Sequence, residues 1–190
     1  MVKMECETSD KTVKLLPCLM LDVGERMLVA GAEVSRIEDF VVVIDTSMSC
    51  SGDLVRRFLE ETYDVLCQSD SYFKKTNIHI IQCDEQVQQD RLITNREEME
   101  AYMRDFTIIG QGGTDFRPAF EYVNGLIRQG AFHRLKGLLY FTDGEGIYPV
   151  KRPVYDTAFV FLKDQYTDIS VPAWAMKLIM EPEQLTEGDK

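Results

Sequence analysis

The sequence predicts an α/β protein built on a Rossmann-like, doubly wound sheet, with mostly parallel strands, one antiparallel edge strand and helices on both faces. Two observations predict this fold. Short apolar runs rich in β-branched residues, beginning with Phe40–Ile44, are typical of strands that are buried on both faces. Between these runs, apolar residues recur every three or four positions, which is the pattern of amphipathic helices. This alternation indicates a parallel sheet covered by helices.

The predicted elements follow one another in that alternating order. An amphipathic stretch from Leu15 to Leu28 predicts a first helix. The run Val87–Ile93 follows a short turn, so we predict that it forms an antiparallel hairpin partner at the sheet edge. Asn95 is a suitable N-cap for a short helix. The remaining predictions are strands at Phe40–Ile44, Ile78–Gln82, Gly137–Thr142, Thr157–Leu162 and Trp174–Ile179, and helices at 51–68, 95–103 and 116–127.

The composition indicates a globular protein that does not attract polyanions. The chain has 190 residues, enough for one sizeable core, and is 45% hydrophobic and 28% charged. Its formal net charge of −11 argues against non-specific binding to nucleic acid or to an anionic membrane surface. Within the sequence, no apolar run approaches the roughly 20 residues that span a bilayer. We therefore expect neither a nucleic-acid partner nor a membrane partner.

The cysteines and the N-terminal residues predict a cytoplasmic protein. The N-terminus shows no basic region followed by an apolar core, so we expect no signal peptide. The cysteines are odd in number, and no two of them have the Cys-x-x-Cys spacing. This favours reduced thiols and argues against a structural zinc site. The five cysteines are Cys6, Cys18, Cys50, Cys67 and Cys83.

Three loops of the predicted sheet carry oxygen atoms suited to a hard divalent cation. The first strand ends in Asp-x-Ser-x-Ser, a Gly-rich turn at 110–113 leads to a threonine, and a later strand ends in an aspartate. In a doubly wound sheet, the loops after the central strands converge on one crevice. Hydroxyl and carboxylate oxygens are the ligands that a magnesium-sized ion prefers. The predicted metal residues are Asp45, Ser47, Ser49, Thr114 and Asp143.

The charge of these residues suggests what a bound ion would do. Asp45 and Asp143 bring a charge of about −2 against a +2 ion, while hydroxyl ligands are neutral. If only one carboxylate binds directly, the ion stays electrophilic. An open coordination position could then accept a carboxylate from another molecule.

Each motif also has a plain structural interpretation. An isolated Asp-x-Ser-x-Ser is often a strand end followed by a helix N-cap, here Ser49 or Ser51. An isolated Gly-Gly-Thr-Asp or Thr-Asp-Gly is a turn. Their joint occurrence at the mouth of one predicted sheet favours the metal interpretation. Cys50 is either incidental or a redox group, and Asp115 and Glu145 are extra carboxylates beside the site, of which Asp115 fits a helix cap.

The three motifs resemble a known metal site. DTSMS, then GGTD, then FTDG is similar to the metal-ion-dependent adhesion site (MIDAS) of von Willebrand factor type A (VWA) domains. The longer segments FVVVIDTSMSCSGDLVRRFLEE, GQGGTDFRPAFEYV, LLYFTDGEGIYP and VPAWAMKLI resemble the VWA-like domain at the C-terminus of a family of bacterial proteins named as metallopeptidases. The resemblance covers about residues 39–182.

The resemblance implies both a fold and a function. It implies the VWA fold, a bound Mg²⁺ or Mn²⁺, and a protein partner that supplies an acidic side chain, with an AAA+ ATPase as an associated partner. It assigns the metal to the same five residues: Asp45, Ser47, Ser49, Thr114 and Asp143.

Two departures limit what the resemblance implies. The longer relatives carry an upstream His-Glu-x-x-His helix that this sequence lacks, so their peptidase activity is not transferred. Residues 21–39, LDVGERMLVAGAEVSRIED, resemble the start of the threonine/serine exporter family without its membrane helices. Residues 1–38 are therefore either an ordinary amphipathic helix or part of a fused or misjoined reading frame. We expect an N-terminal extension at 1–38, a VWA-like domain at 39–182 and a tail at 183–190.

Two classes of function remain. The leading hypothesis is a non-catalytic, metal-dependent protein-interaction module. The alternative is a metal-dependent hydrolase that uses the same site, because a magnesium ion with an open position could activate water. The sequence shows neither an evident Ser-His-Asp or Cys-His set nor a P-loop, and Ser47 stands where aspartyl phosphotransferases need a second aspartate.

Overall fold

The computed structural model describes residues 4–6, 39–50, 55–56, 59, 77–163 and 166–180. The strands are β1 (Met4–Cys6), β2 (Asp39–Asp45), β3 (Asn77–Cys83), β4 (Val87–Ile93), β5 (Leu135–Phe141), β6 (Asp156–Leu162) and β7 (Met176–Met180). The helices with described bounds are α1 (Arg96–Arg104) and α2 (Arg117–Arg128). The helix predicted from Leu15, most of the helix predicted at 51–68 and the tail predicted at 183–190 lie outside the described residues.

The strands form one seven-stranded sheet in the order β1-β7-β6-β5-β2-β3-β4. The strands from β7 to β3 run parallel to one another, and β4 pairs antiparallel with β3 at one edge. The predicted α/β fold, with a mostly parallel sheet and an antiparallel edge strand, is therefore confirmed. The opposite edge adds β1, which pairs antiparallel with β7. Its three residues, Met-Glu-Cys, are too few to show a periodic pattern in the sequence.

The apolar core lies in two layers, one on each face of the sheet. Along β2, the side chains of Phe40, Val42 and Ile44 belong to one layer. Those of Val41 and Val43 belong to the other, because successive residues of a strand point to opposite faces. All five side chains are buried, which explains why the run contains no polar residue.

Each layer is covered by helical residues. Helix α1 contributes Met99 and Tyr102 to the first layer, and the helical residues Val55 and Leu59 join it there. Helix α2 contributes its buried face, including Phe120, to the second layer. Helices therefore cover both faces of the sheet, as predicted. Among the described residues, no helix is long and apolar enough to cross a membrane.

The last strand begins later than the sequence predicts. We predicted a strand from Trp174, but β7 begins at Met176. A turn in which the Ala175 N–H donates to the Pro172 carbonyl, at 2.9 Å, occupies the intervening residues. Trp174 packs instead against Phe120 of α2, with ring centroids 6.2 Å apart. This contact places Trp174 against the second layer of the core.

Truncating Phe159 is expected to destabilise the fold strongly. Phe159 lies on β6, is fully buried, and its ring centroid is 4.9 Å from that of Tyr148 and 5.5 Å from that of Tyr140. We expect Phe159→Ala to lower the free energy of unfolding by about 3–5 kcal/mol. The substitution removes a buried ring with its contacts to Tyr140 and Tyr148, and it leaves a cavity in the core. Urea denaturation measures this loss.

The matched control is Val154→Ala, because the Val154 side chain is 90% exposed. We expect this change to stay within about 0.5 kcal/mol of the wild type. Equal losses in the two variants would contradict the position of Phe159 in the core.

Candidate metal centre

The first loop of the candidate site begins with a fully buried carboxylate. Asp45 is the last residue of β2. Its Oδ1 accepts a hydrogen bond from the Ser47 backbone N–H at 2.9 Å. Its Oδ2 accepts one from the Thr142 hydroxyl at 2.5 Å. Because Thr142 directly follows β5, this second bond joins the first loop to the loop after the neighbouring strand.

A tight turn brings the two serines of the first loop together. The Cys50 N–H donates to the Ser47 carbonyl at 3.1 Å, which closes the turn. The hydroxyl oxygens of Ser47 and Ser49 lie 3.2 Å apart. Ser47 is buried, whereas Ser49 and the intervening Met48 are exposed. The serine pair therefore connects the buried Asp45 to the surface.

The third loop holds Asp143 beside the same strand end. The Asp143 Oδ1 accepts a hydrogen bond from the Glu145 N–H at 3.0 Å, and its carbonyl accepts one from the Thr167 N–H at 2.8 Å. Gly144 has a positive φ of 89°, and a Cβ on it would lie 1.9 Å from the Thr167 carbonyl oxygen. Only glycine fits this position. The turn that carries Asp143 is therefore held by the hydrogen bonds of Glu145 and Thr167 and by the close packing of Gly144 against Thr167.

The structure brings Asp45 and Asp143 into one cluster. One ligand atom each of Asp45, Asp143 and Cys50 lies within 4.8 Å of the other two. The sequence predicted the two aspartates as metal residues and left the role of Cys50 open. The position of Cys50 depends on the turn at Ser47, which the sequence pattern alone does not define.

The Gly-rich loop, residues 110–114, lies against the first loop. The Gln111 N–H donates to the Thr46 carbonyl at 2.9 Å, and the Met48 N–H donates to the Gly112 carbonyl at 3.3 Å. Gly110 has a φ of 130°, and a Cβ on it would lie 2.7 Å from the Thr46 hydroxyl oxygen. The glycine thus permits the close approach of the two loops.

Asp84, which the sequence analysis did not identify, anchors the Gly-rich loop. Its Oδ2 accepts a hydrogen bond from the Gly112 N–H at 3.0 Å, and its carbonyl accepts one from the Asp115 N–H at 3.3 Å. Thr114 lies between these two anchored residues and is half-buried. The available signal was an aspartate directly after the buried strand β3, the same signal that identified Asp45 and Asp143.

The two extra carboxylates have local roles. The Asp115 Oδ1 accepts a hydrogen bond from the Arg117 N–H at 3.0 Å, where α2 begins, and its Oδ2 pairs with the Arg117 guanidinium at 2.6 Å. Phe116 is the N-cap residue of α2, so Asp115 supports the start of the helix from one position before the cap and is not the cap that the sequence predicted. Glu145 is exposed and its backbone supports Asp143.

The electrostatics of the cluster disfavour negative charge in the absence of a cation. Burial raises the pKa of Asp45, and the hydrogen bonds from Ser47 and Thr142 only partly oppose it. Burial, together with the charges of Asp45 and Asp143, also raises the pKa of the Cys50 thiol. A divalent cation among these groups would reverse this balance by stabilising their ionised forms.

Asp84 behaves differently from Asp45. Its burial raises the pKa, but the hydrogen bonds from Gln88, Gln86 and Gly112 outweigh that effect and lower the pKa overall. Asp84 is therefore ionised without any cation. This suits a residue that anchors a loop.

Asp45→Asn is expected to stabilise the cation-free fold at neutral pH. Burial raises the pKa of Asp45, so the folded chain favours the protonated carboxyl more than the unfolded chain does. The corresponding stabilisation is complete below the unfolded-chain pKa of about 3.9 and is lost as the pH rises through the raised folded value. Asparagine avoids this loss and keeps an oxygen that can accept from the Ser47 N–H.

Urea unfolding in the presence of a chelator, from about pH 4 to pH 7, measures this effect. The stability advantage of Asp45→Asn should grow as the pH rises. The control is Asp156→Asn, because the Asp156 side chain is 53% exposed and its surface ion pair with Arg152 contributes little to stability. A variant that is less stable than the wild type throughout the range would contradict the prediction.

Comparison with solved structures shows related folds. A search of curated protein sequences finds no significant match. Proximal thread matrix protein 1 from the mussel byssus aligns with a TM-score of 0.51 and 14% identity over 70% of this chain and 39% of that chain. The chain thus spans less than half of that protein. The similarity at this identity concerns the fold alone.

Two further solved structures are similar at lower TM-scores. The ArnB paralog VWA2 from Sulfolobus acidocaldarius has a TM-score of 0.44 and 14% identity over 70% of this chain and 36% of that chain. The SpRpn10 VWA domain has a TM-score of 0.40 and 14% identity over 66% of this chain and 75% of that chain.

The sequence profile of a domain family gives the assignment. The profile described as VWA-like domain (DUF2201) matches residues 40–181, which is about three quarters of the chain. The match includes β2 from its second residue, all of β3 to β7, and the three loops of the candidate site. The chain therefore belongs to the VWA-like domain (DUF2201) family.

Proposed function

We propose that this chain is a protein-interaction module that binds Mg²⁺ or Mn²⁺ and uses the ion to hold an acidic side chain of a partner. The proposed metal residues are Asp45, Ser47, Ser49, Thr114 and Asp143. The observation that carries the proposal is the convergence of Asp45 and Asp143 in one cluster beside the serine pair. Membership of the VWA-like family supports it.

The hydrogen bonds of Asp45 favour an ion that keeps an open position. Both Asp45 oxygens already accept a protein hydrogen bond, from Ser47 and from Thr142. Asp45 therefore acts mainly as a fixed negative charge and has only its remaining lone pairs for an ion or an ion-bound water. Asp143 and the neutral hydroxyls supply the other ligands. With only one carboxylate bound directly, the ion retains positive charge that attracts a carboxylate from outside.

Exposed aliphatic side chains around the site favour a protein partner over a small ligand. Met48 is 80% exposed within the first loop, Ile147 is 52% exposed, and Ile169 is 91% exposed. Ile147 forms a bridge with Asp115 next to the Gly-rich loop, and Ile169 lies two residues after Thr167, which bonds the Asp143 carbonyl. Large apolar side chains that are exposed close to one another mark surfaces that bind other molecules, including proteins.

The histidine positions give the hydrolase alternative no support. His79 lies near the amino end of β3 and its Nδ1 contacts both oxygens of Asp90 at 2.9 Å. His133 lies just before β5, also at the amino edge of the sheet. The proposed metal residues lie at the carboxyl edge, so neither of the chain's two imidazoles is placed to act as a base there.

The remaining assignments extend the same proposal. We place the domain at residues 39–182, and the partner class that the family resemblance suggests is an AAA+ ATPase. In this arrangement the partner would bring a glutamate or aspartate to the ion, while the exposed aliphatic side chains would contact its surroundings.

Calorimetric titration with Mg²⁺ and Mn²⁺ tests the metal site. We expect the wild type to bind one ion and Asp143→Ala to bind at least about tenfold more weakly, because a charged ligand is lost. Asp156→Ala, which removes a half-exposed carboxylate at the amino end of β6, is the matched control and should bind like the wild type. Equal affinity for wild type and Asp143→Ala would contradict the proposal.

Affinity capture tests the interaction. We expect wild-type protein to retain a partner from a cell lysate in Mg²⁺ and to release it in a chelator, and we expect Asp143→Ala to retain none. Mass spectrometry of the eluate then shows whether the partner is an AAA+ ATPase.

Two substitutions of exposed apolar residues test whether the surface around the site contacts the partner. Met48→Ser should weaken capture, whereas Val154→Ser should not, because Val154 is equally apolar and exposed but precedes β6 at the opposite edge of the sheet. A partner retained equally in chelator and in Mg²⁺ would argue against a role for the metal in binding.

A further inference from the structure

We propose that the amino edge of the sheet, at the opposite end from the candidate metal centre, binds an acidic segment of a protein partner. Five cationic residues at the starts of β5 and β6 form this surface, which we call the basic surface: Arg128, Arg134, Lys136, Lys151 and Arg152. The inference goes beyond the proposed function, because the basic surface contains none of the proposed metal residues and needs no metal ion.

The sequence concentrates positive charge in two short segments of an acidic chain. Residues 128–136 and 149–155 contain five Lys and Arg residues and no Asp or Glu. The whole chain, by contrast, carries 32 Asp and Glu residues against 21 Lys and Arg residues. Such a local reversal of charge creates a positive potential that attracts anionic groups, although the molecule as a whole is negative.

The topology brings the two segments to one end of neighbouring strands. Residues 128–136 run from the last residue of α2 to the second residue of β5, and residues 149–155 lead directly into β6. Strands β5 and β6 are adjacent and parallel, so both segments lie at the amino edge. Asp156 lies opposite Gly137 in the register and contacts the Arg152 guanidinium at 3.3 Å. This ion pair is exposed and therefore weak, which leaves Arg152 available to a partner.

The backbone of the first segment is tied to the neighbouring strands. The Arg134 N–H donates to the buried Asp39 carboxylate at 2.5 Å, and the Asn77 side-chain amide donates to the Ala131 carbonyl at 2.8 Å. Asp39 and Asn77 are the first residues of β2 and β3. Arg134 itself is exposed, so a fixed backbone carries a cation that solvent and partners can reach.

The second segment is held between two tyrosines. Tyr148 is half-buried and Tyr155 is buried in the second layer of the core. Two prolines lie between them and restrict the backbone φ angles. Lys151 and Arg152 are exposed on this connection. Because the connection is already ordered, binding a partner there costs less conformational entropy than binding to a flexible loop.

An exposed valine favours a protein segment over a nucleic acid as the occupant. Val150, next to Lys151, is 94% exposed. An apolar side chain can pack against side chains of a peptide, whereas contacts to nucleic acid are made mainly to phosphates and sugars. The net charge of −11 also disfavours a long polyanion, because the rest of the molecule repels it. A short acidic segment can contact the basic surface without that repulsion.

Fluorescence anisotropy with a labelled decaglutamate peptide tests the inference. The titration is done in a chelator, so that the peptide cannot bind through a metal ion. We expect the wild type to bind at low ionic strength and to release the peptide as salt is added, since salt screens exposed charges. The triple variant Arg134→Gln, Lys151→Gln, Arg152→Gln should bind at least about tenfold more weakly.

A second triple variant separates the basic surface from the net charge. Arg91→Gln, Arg104→Gln, Arg117→Gln removes the same number of exposed cations from other parts of the chain and should bind within about twofold of the wild type. All six substituted residues are exposed, so the urea unfolding curves of both variants should match that of the wild type. Absence of wild-type binding, or equal weakening in the two triple variants, would overturn the inference.

Two further measurements test the choice of occupant. A DNA oligonucleotide of the same formal charge should bind more weakly than the peptide, and tighter binding would overturn the assignment to a protein segment. Sedimentation of the wild type in chelator should show no dimer that the first triple variant lacks. Such a dimer would instead assign the basic surface to a second copy of this chain.

Discussion

The candidate site depends on the register of β2 between its two parallel neighbours. Asp45 lies opposite Cys83 of β3, and Ile44 lies opposite Phe141 of β5. The next residue of each neighbour is a polar one, Asp84 or Thr142. A shift of one residue would turn the Asp45 side chain to the other face of the sheet and break its bond to Thr142. The apolar alternation of β2 therefore positions the carboxylate as well as the core.

Residues that directly follow buried strands could be identified from the sequence. Asp45 and Asp143 were predicted to meet because parallel strands end at one edge, and the structure brings them together. The role of Asp84 and the position of Cys50 could not be derived in this way. Asp84 acts through the backbone of a loop 28 residues later in the chain, and Cys50 lies beside the two aspartates because of a turn whose geometry has no pattern in the sequence.

The elements of the fold also differ in whether a local sequence pattern identifies them. The buried parallel strands were predicted because their apolar runs are long enough to be recognised, and β4 was predicted because it follows a short turn after β3. The start of β7 was misplaced, since the turn from Pro172 to Ala175 depends on tertiary packing around Trp174. The pairing of β1 with β7 joins residues far apart in the chain and leaves no local signal.

At the carboxyl end of β2, the burial that stabilises the core also destabilises the ionised carboxylate of Asp45. The core gains from the burial of β2, but the same burial encloses Asp45, whose ionised form is unfavourable there. Hydrogen bonds from Ser47 and Thr142 reduce this cost without removing it. The conflict is characteristic of sites that are completed by a ligand, because the ligand supplies the missing stabilisation only in the folded chain.

The pairing of β1 has a practical consequence for work with fragments. The family profile begins at residue 40, yet residues 4–6 contribute the strand that covers the outer edge of β7. A fragment cut at the family boundary would leave the backbone N–H and C=O groups of β7 open to strand addition from a second copy. Dimers or larger aggregates of such a fragment would reflect the uncovered edge and would not indicate the native oligomeric state.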